Sequence, residues 1–151
     1  MNVPSLWVNA DRVVVEARIK SLRADSPAQW GKMNAAQMVV HAQQPLRVAI
    51  DQLRLKHSLI SKLFGKMAKR KLLSDKPWGR DMPTAPEFIV KKQPDFETER
   101  RALLDLVRRF SEGGPSSLTP LPHPFFGPMT PAEWSALQWR HLDHHLRQFG
   151  A

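Results

Sequence analysis

Residues 130–150, TPAEWSALQWRHLDHHLRQFG, carry both the start signal and the stop signal of a helix. Thr130 is a helix-capping residue, Pro131 suits the first helical position, and Glu133 stands where a capping-box carboxylate bonds back to the cap. Gly150 tolerates the left-handed conformation that commonly ends a helix. The pattern therefore predicts a final helix between these ends.

Two histidines lie one turn apart on this predicted helix. His141 and His145 are separated by four positions, so both imidazoles project from the same face. Such a pair can bind one metal ion. The chain has no cysteine, so any metal site must use imidazole nitrogen or carboxylate oxygen. Pairs at this spacing also occur by chance in helices that bind nothing, and the interpretation depends on a third ligand.

A third histidine stands on an earlier predicted helix. Asn34 is a good N-cap for a helix over about residues 35–53, whose apolar positions recur at helical spacing. Pro45 lies inside that pattern and predicts a kink. His41 lies about two turns from the start of this helix. A lone histidine on an apolar helix is usually a hydrogen-bonded core residue, so both interpretations of His41 stay open at this point.

Apolar spacing predicts three further helices. They lie over about residues 10–22, 54–73 and 95–111. In the first, Asn9 is the expected N-cap, Val13 is expected to face the core, and Glu16 is expected to face water. The second is rich in lysine and is expected to be interrupted near Gly65. Proline-rich connections separate these segments, and no convincing strand pattern is present.

Together these segments predict an all-α fold. Four principal helices, with the basic segment in a long crossover between the second and third, indicate an antiparallel bundle in one domain over residues 1–151. In such a bundle the second and final helices can be neighbours, which would turn His41 toward His141 and His145. Three histidines plus a water form the open arrangement that catalytic zinc uses.

The composition is that of an ordinary globular chain, with 42% hydrophobic and 25% charged residues. No apolar run approaches the roughly 20 residues that a transmembrane helix needs. Residues 1–7 lack the basic and apolar blocks of a signal peptide, so we expect a cytoplasmic location. The absence of cysteine excludes disulfides and cysteine nucleophiles.

The net charge of +9 comes largely from one segment. Between residues 52 and 74 there are seven Lys or Arg residues and no Asp or Glu. This segment can bind an acidic membrane surface or nucleic-acid phosphate, or it can be a solvated helix face on a crossover. No helix-turn-helix or zinc-finger pattern is present, so we expect no specific nucleic acid. The candidate anion-binding residues are Lys62, Lys66, Lys69, Arg70 and Lys71.

Residues 30–41, WGKMNAAQMVVH, resemble the second-helix motif of the DinB-like (YfiT-like) four-helix-bundle superfamily. In that motif a tryptophan precedes the helix and a histidine follows about three turns later. The His141-x-x-x-His145 pair is similar to the superfamily's second metal-binding motif. Residues 123–127, HPFFG, followed by Trp134 and the final helix, look closest to a branch described only as a domain of unknown function. The similarity covers nearly the whole chain.

The resemblance implies a DinB-like bundle that holds a divalent metal, zinc or nickel first among the candidates. The ligands would be His41, His141 and His145, with an open position for water or substrate. Members of the superfamily include thiol-dependent S-transferases and a thiol-dependent isomerase. The resemblance therefore implies a low-molecular-weight thiol and a small-molecule substrate. Related bundles often dimerise, so it also raises the hypothesis of a homodimer.

Several other residues are candidates for the surroundings of the metal, either as hydrogen-bonding partners or as pocket walls. They are Trp30, Gln37, His123, Phe126, Trp134 and His144. The large aromatic residues among them are equally compatible with core positions.

Three functional hypotheses follow. The first is a metal-dependent thiol S-transferase. The second is hydrolysis by metal-bound hydroxide, for which the sequence offers no identifiable general base. The third is a non-catalytic metal-binding or structural bundle whose basic helix, residues 54–71, binds an anionic partner.

Overall fold

The structure, a computed structural model, describes residues 4–57, 59–80 and 82–151, except for the side chain of Ile60. Within these ranges it contains five α-helices and no strand, which confirms the all-α prediction. The helices are α1 (Asn9–Ser21), α2 (Ala35–Ala49), α3 (Leu59–Leu72), α4 (Phe96–Gly113) and α5 (Pro131–Gln148). Short 3₁₀ turns occupy Pro86–Phe88 and Gly114–Ser117. No helix in the described part of the chain has the length and apolar character needed to cross a membrane.

Four of the helices share one hydrophobic core. The most extensive contact joins α2 to α4, and α2 also packs against α5, while α1 contacts α4 and α5. The largest fully buried apolar side chains include Ile19, Met38, Leu46, Leu103, Phe110, Leu142 and Leu146. Among the side chains that the structure describes, none of those in the core comes from α3, which lies in the connection between α2 and α4. The packing of α2 against α5 is what allows their histidines to meet.

Capping boxes start both helices that carry the candidate ligands. In α2, the Asn34 side chain accepts from the Gln37 backbone N–H, and the Gln37 side chain accepts from the Asn34 backbone N–H. In α5, Thr130 and Glu133 make the same reciprocal pair. Gly150 follows the end of α5 with φ 72°, in the left-handed region where glycine is favoured. These predicted start and stop signals are confirmed.

The predicted orientation of α1 is wrong. Val13 is 50% exposed, whereas Glu16 is 7% exposed and buried against α4. Burial of Glu16 is compensated by Arg12, at 2.9 Å, and by Arg108 of α4, at 3.5 Å. Asn9 is also not the N-cap, since Val8 holds that position without a side-chain bond.

Two other boundaries differ from expectation. Helix α2 ends at Ala49 rather than near residue 53, because Asp51 adopts φ 59°, which no helix continues through. Helix α3 is not interrupted at Gly65. Instead Gly65 is buried, and the missing side chain lets the helix backbone approach the Phe125 carbonyl.

We predict that Gly65→Ala destabilises the protein, although alanine favours helices over glycine by about 1 kcal/mol. The added Cβ would overlap the Phe125 carbonyl oxygen, so docking of α3 must loosen. We expect the free energy of unfolding in urea to fall by about 1–2 kcal/mol. Lys66→Ala, at an exposed neighbouring position, should change it by less than about 0.5 kcal/mol. A more stable Gly65→Ala protein would show that α3 does not rest on this loop.

Candidate metal centre and its pocket

Helices α2 and α5 bring three histidine side chains together. The Nε2 atom of His41 lies 3.0 Å from Nε2 of His145 and 3.2 Å from Nε2 of His141. One ligand nitrogen from each ring falls within 4.8 Å of the other two. In the described part of the chain, these three residues form the only group of His, Asp or Glu with metal-binding geometry.

The protonation of two rings follows from their outer partners. His41 Nδ1 lies 3.2 Å from the Phe88 carbonyl oxygen, and His145 Nδ1 lies 2.7 Å from Gln148 Oε1. Both oxygens can only accept, so each Nδ1 carries the proton and donates it. In a neutral ring the Nε2 atom then has a free lone pair. The lone pairs of His41 and His145 therefore face the shared centre.

The orientation of the Gln148 amide is itself held in place. Its Nε2 donates to the Trp30 carbonyl at 2.8 Å, which leaves Oε1 for His145. The backbone carbonyl of Gln148 also accepts from the backbone N–H of Gln29, at 2.8 Å. Gly31, at φ 81°, lies against the amide, and a Cβ at that position would overlap Gln148 Nε2. The loop before α2 thus orients a ligand on α5.

These contacts fit a bound cation. Two neutral imidazoles whose Nε2 atoms both lack a proton repel each other at 3.0 Å, unless a positive charge lies between them. Ligand atoms of a tetrahedral zinc ion lie about 3.3 Å apart, which is close to the two short Nε2 separations. The three nitrogens therefore form a donor set that can hold a divalent metal ion.

Burial keeps the three rings neutral. It lowers the pKa of His41, and it lowers the pKa of His145 to about 3, with the nearby His41 ring adding to the effect. The pKa of His141 falls well below its usual value, first through burial and then through the neighbouring imidazoles. Neutral imidazole is the form that binds metals. His141 Nδ1 is buried and makes no hydrogen bond within the described residues.

The three rings border a pocket with a volume of about 580 Å³. Its walls are mostly apolar and include five large aromatic side chains from the loops around the helices: Trp30, Trp78, Phe88, Phe125 and Phe126. His144 lines the same pocket, with its ring 5.7 Å from the rings of both Trp30 and Trp78. Burial lowers its pKa as well. His144 is thus a pocket residue beside the three-histidine group.

His123 shapes one wall of this pocket. Its Nδ1 accepts from the backbone N–H groups of Phe125 and Phe126, at 3.1 and 3.3 Å. Its ring stacks on Phe126, with centroids 4.3 Å apart, and lies 5.1 Å from Trp134. Trp134 is buried in the core and does not line the pocket. His123 therefore holds the turn that presents the two phenylalanines.

Gln37 lines the pocket, but its side chain bonds elsewhere. It completes the α2 capping box and donates to the Val90 carbonyl. The glutamine that contacts a ligand ring is Gln148, which was not among the residues predicted to surround the metal. The sequence did indicate this contact, because Gln148 lies three positions after His145 and residues at that spacing are neighbours on a helix. The contact of His41 with the Phe88 carbonyl could not be predicted from the sequence, because every residue type carries a backbone carbonyl.

The basic candidates lie outside the pocket and differ in their surroundings. Lys69 pairs with Glu133 at 3.0 Å and donates to the Pro128 carbonyl, so it joins α3 to the first turn of α5 and to the loop before it. Lys62, Lys66, Arg70 and Lys71 are exposed. Within the described residues, none of these four pairs with a carboxylate.

We predict that Gln148→Leu weakens zinc binding about 10- to 100-fold, because the His145 ring loses the acceptor that fixes its tautomer. Isothermal titration of metal-free protein measures the affinity. Gln37→Leu is the matched control, since Gln37 lines the same pocket without bonding to the three rings. Equal affinities for both variants would contradict the role of Gln148.

We predict that His123 makes the metal-free protein sensitive to acid. Burial, with a contribution from His57, lowers its pKa from 6.5 to about 3. As pH falls below 6.5, the unfolded chain binds a proton at this position that the folded chain excludes. Stability is therefore lost between the unfolded and folded pKa values.

In His123→Asn the side-chain oxygen can replace Nδ1 as acceptor, and no group titrates there. Between about pH 6.5 and 4, urea unfolding should show the wild type losing about 2 kcal/mol more than this variant. The other buried histidines are common to both proteins and cancel in the comparison. Parallel losses in the two proteins would contradict this assignment.

Comparison with known proteins places the chain in a family. The family model described as "Protein of unknown function (DUF1569)" matches residues 7–151, nearly the whole chain. No curated protein and no solved structure matches it. The chain therefore belongs to the DUF1569 family of proteins of unknown function.

Proposed function

We propose that this protein is a metal-dependent enzyme in which His41, His141 and His145 hold one divalent ion, zinc or nickel. The observation that carries the proposal is the meeting of three Nε2 atoms at the edge of a pocket of about 580 Å³. Structural zinc sites are usually closed by four protein ligands, whereas catalytic sites keep one position open. Three protein ligands beside a pocket favour the catalytic kind.

The reaction we propose is transfer to a low-molecular-weight thiol. When bound, a divalent metal supplies a Lewis acid that lowers the pKa of a thiol. In such a transfer the thiol loses its proton, its sulfur bonds to an electrophilic carbon, and the leaving group departs with the bonding electrons. The aromatic walls provide an apolar space for the electrophile and limit access of water.

The pocket lining favours this reaction over hydrolysis. Hydrolysis by a metal-bound hydroxide needs a general base, a role that His, Asp or Glu can take. No Asp or Glu lines the pocket in the described part of the chain, and the two pocket histidines outside the ligand group, His123 and His144, have their rings packed against aromatic side chains. The chain's own groups instead position the site. The Phe88 carbonyl aligns the His41 ring, and Gln148 aligns the His145 ring. His123 stabilises the turn that carries Phe125 and Phe126.

The resemblance to the DinB-like superfamily supports the same assignment. Residues 30–41 and the His141–His145 pair carry the two motifs, and thiol-dependent transferases occur in that superfamily. The packing of α1, α2, α4 and α5, with α3 in the connection, is compatible with a DinB-like four-helix bundle that has a long crossover. We extend the proposal to one domain over residues 1–151, and to a homodimer on the resemblance alone.

We predict that protein purified without added metal or affinity tag contains about one equivalent of metal, and that His141→Ala contains almost none. Elemental analysis measures the content. His144→Asn is the control, since this residue lines the pocket outside the three-histidine group and should leave the metal in place.

The reaction has a separate test. Cysteine-derived thiols and an aryl halide are mixed with zinc- or nickel-loaded protein, and thioether formation is followed. We expect His141→Ala to be slower by at least about 100-fold. Metal-loaded protein with no thioether formation above this variant would refute the S-transferase assignment while leaving the metal site. Absence of metal, with no stabilisation by added zinc or nickel, would refute both.

A further inference from the structure

The outward face of α3 is apolar. Leu59, Leu63, Phe64 and Met67 are exposed to 78%, 79%, 54% and 67%. The opposite face holds Gly65, buried against the loop at Phe125. Apolar side chains concentrated on one exposed face mark an interaction site more often than isolated ones do. This helix thus has one docked face and one apolar face that the described part of the chain leaves exposed.

Cations flank the apolar stripe. At about 100° per residue, Leu59, Leu63 and Met67 follow one line, with Phe64 beside it. Lys62, Lys66 and Arg70 run along one edge of the stripe, and Lys71 continues the line of Leu59, Leu63 and Met67 at its C-terminal end. No Asp or Glu occurs between residues 52 and 74. A groove of about 780 Å³ between α3 and the start of α5 is bordered by Lys66 and Arg70, and by Lys69 paired with Glu133.

We propose that α3 is a docking helix for the surface of an anionic phospholipid bilayer. Leu59, Leu63, Phe64 and Met67 would enter the boundary between headgroups and acyl chains. Lys62, Lys66 and Arg70 would contact the phosphate and carboxylate groups of the lipids. Apolar burial and cationic attraction together are what binds an amphipathic helix in the plane of a membrane.

Two other occupants satisfy only part of this surface. A second copy of the chain, docked through the same face, would bring two strongly cationic helices together without a compensating carboxylate on either segment. Nucleic-acid phosphate would pair with the cations but leave four large apolar side chains in water. An anionic bilayer matches both the charge and the apolar stripe. The proposal does not involve the three histidines and stands apart from the proposed enzyme activity.

The test is co-sedimentation of the full chain with vesicles. One set is phosphatidylcholine alone, and the other contains about one-third phosphatidylserine. We expect binding to the anionic vesicles that weakens with added salt, and little binding to the neutral ones. Leu63→Gln/Met67→Gln should weaken binding about tenfold or more, and Lys66→Gln/Arg70→Gln about tenfold. Glutamine keeps helix propensity at these exposed positions.

Two matched control variants replace exposed apolar or cationic side chains that lie outside α3. Val13→Gln/Val14→Gln replaces exposed apolar residues of α1, and Lys91→Gln/Lys92→Gln replaces exposed cations of a loop. Both should bind vesicles like the wild type.

No binding to anionic vesicles, or equal losses in the control variants, would overturn the proposal. Binding lost with the cations but unchanged in Leu63→Gln/Met67→Gln would also overturn it and point to phosphate recognition, as on nucleic acid. Binding to an acidic protein but not to vesicles would point to a protein partner.

Discussion

Three imidazole nitrogens that face one another, two of them in rings whose Nδ1 lies against an oxygen acceptor, are the constraint on which the rest of this structure depends. The arrangement repels itself without a cation, yet the surrounding contacts hold it: Phe88 fixes one ring, and Gln148 fixes another. Gln148 is in turn held by the loop at Trp30 and Gly31. A bound divalent ion would convert this repulsion into coordination, so metal binding and folding are expected to be coupled.

The helices and the loops contribute different parts of the site. Ligand rings come from α2 and α5, which start at capping boxes and pack directly against each other. The aromatic walls come mostly from irregular segments, where His123 organises the turn that presents Phe125 and Phe126. In many folds a rigid scaffold holds the reactive groups, while surface loops that differ among related proteins determine which substrate binds. Helix α3 is fastened outside by Gly65 and Lys69, and its apolar face remains toward solvent.

Local signals explain what the sequence could predict. The caps at Asn34 and Thr130 and the stop at Gly150 act within a few residues, and they appear as expected. The face of α1 was not predictable in this way, because burial of Glu16 depends on Arg108, which is distant in sequence. The approach of His41 to the α5 pair followed from spacing and the expected packing. The hydrogen bond that orients His41 toward the Phe88 carbonyl could not be predicted in this way, because every residue type offers a backbone carbonyl.

Metal binding by the three histidines is tested most directly by anomalous diffraction at the zinc or nickel absorption edge from crystals of the metal-loaded protein. We expect one strong peak within bonding distance, about 2.0–2.1 Å, of Nε2 of His41, His141 and His145, with a remaining coordination position open to the pocket. A peak elsewhere, no peak at saturating metal, or a fourth protein side chain that closes the site would contradict it.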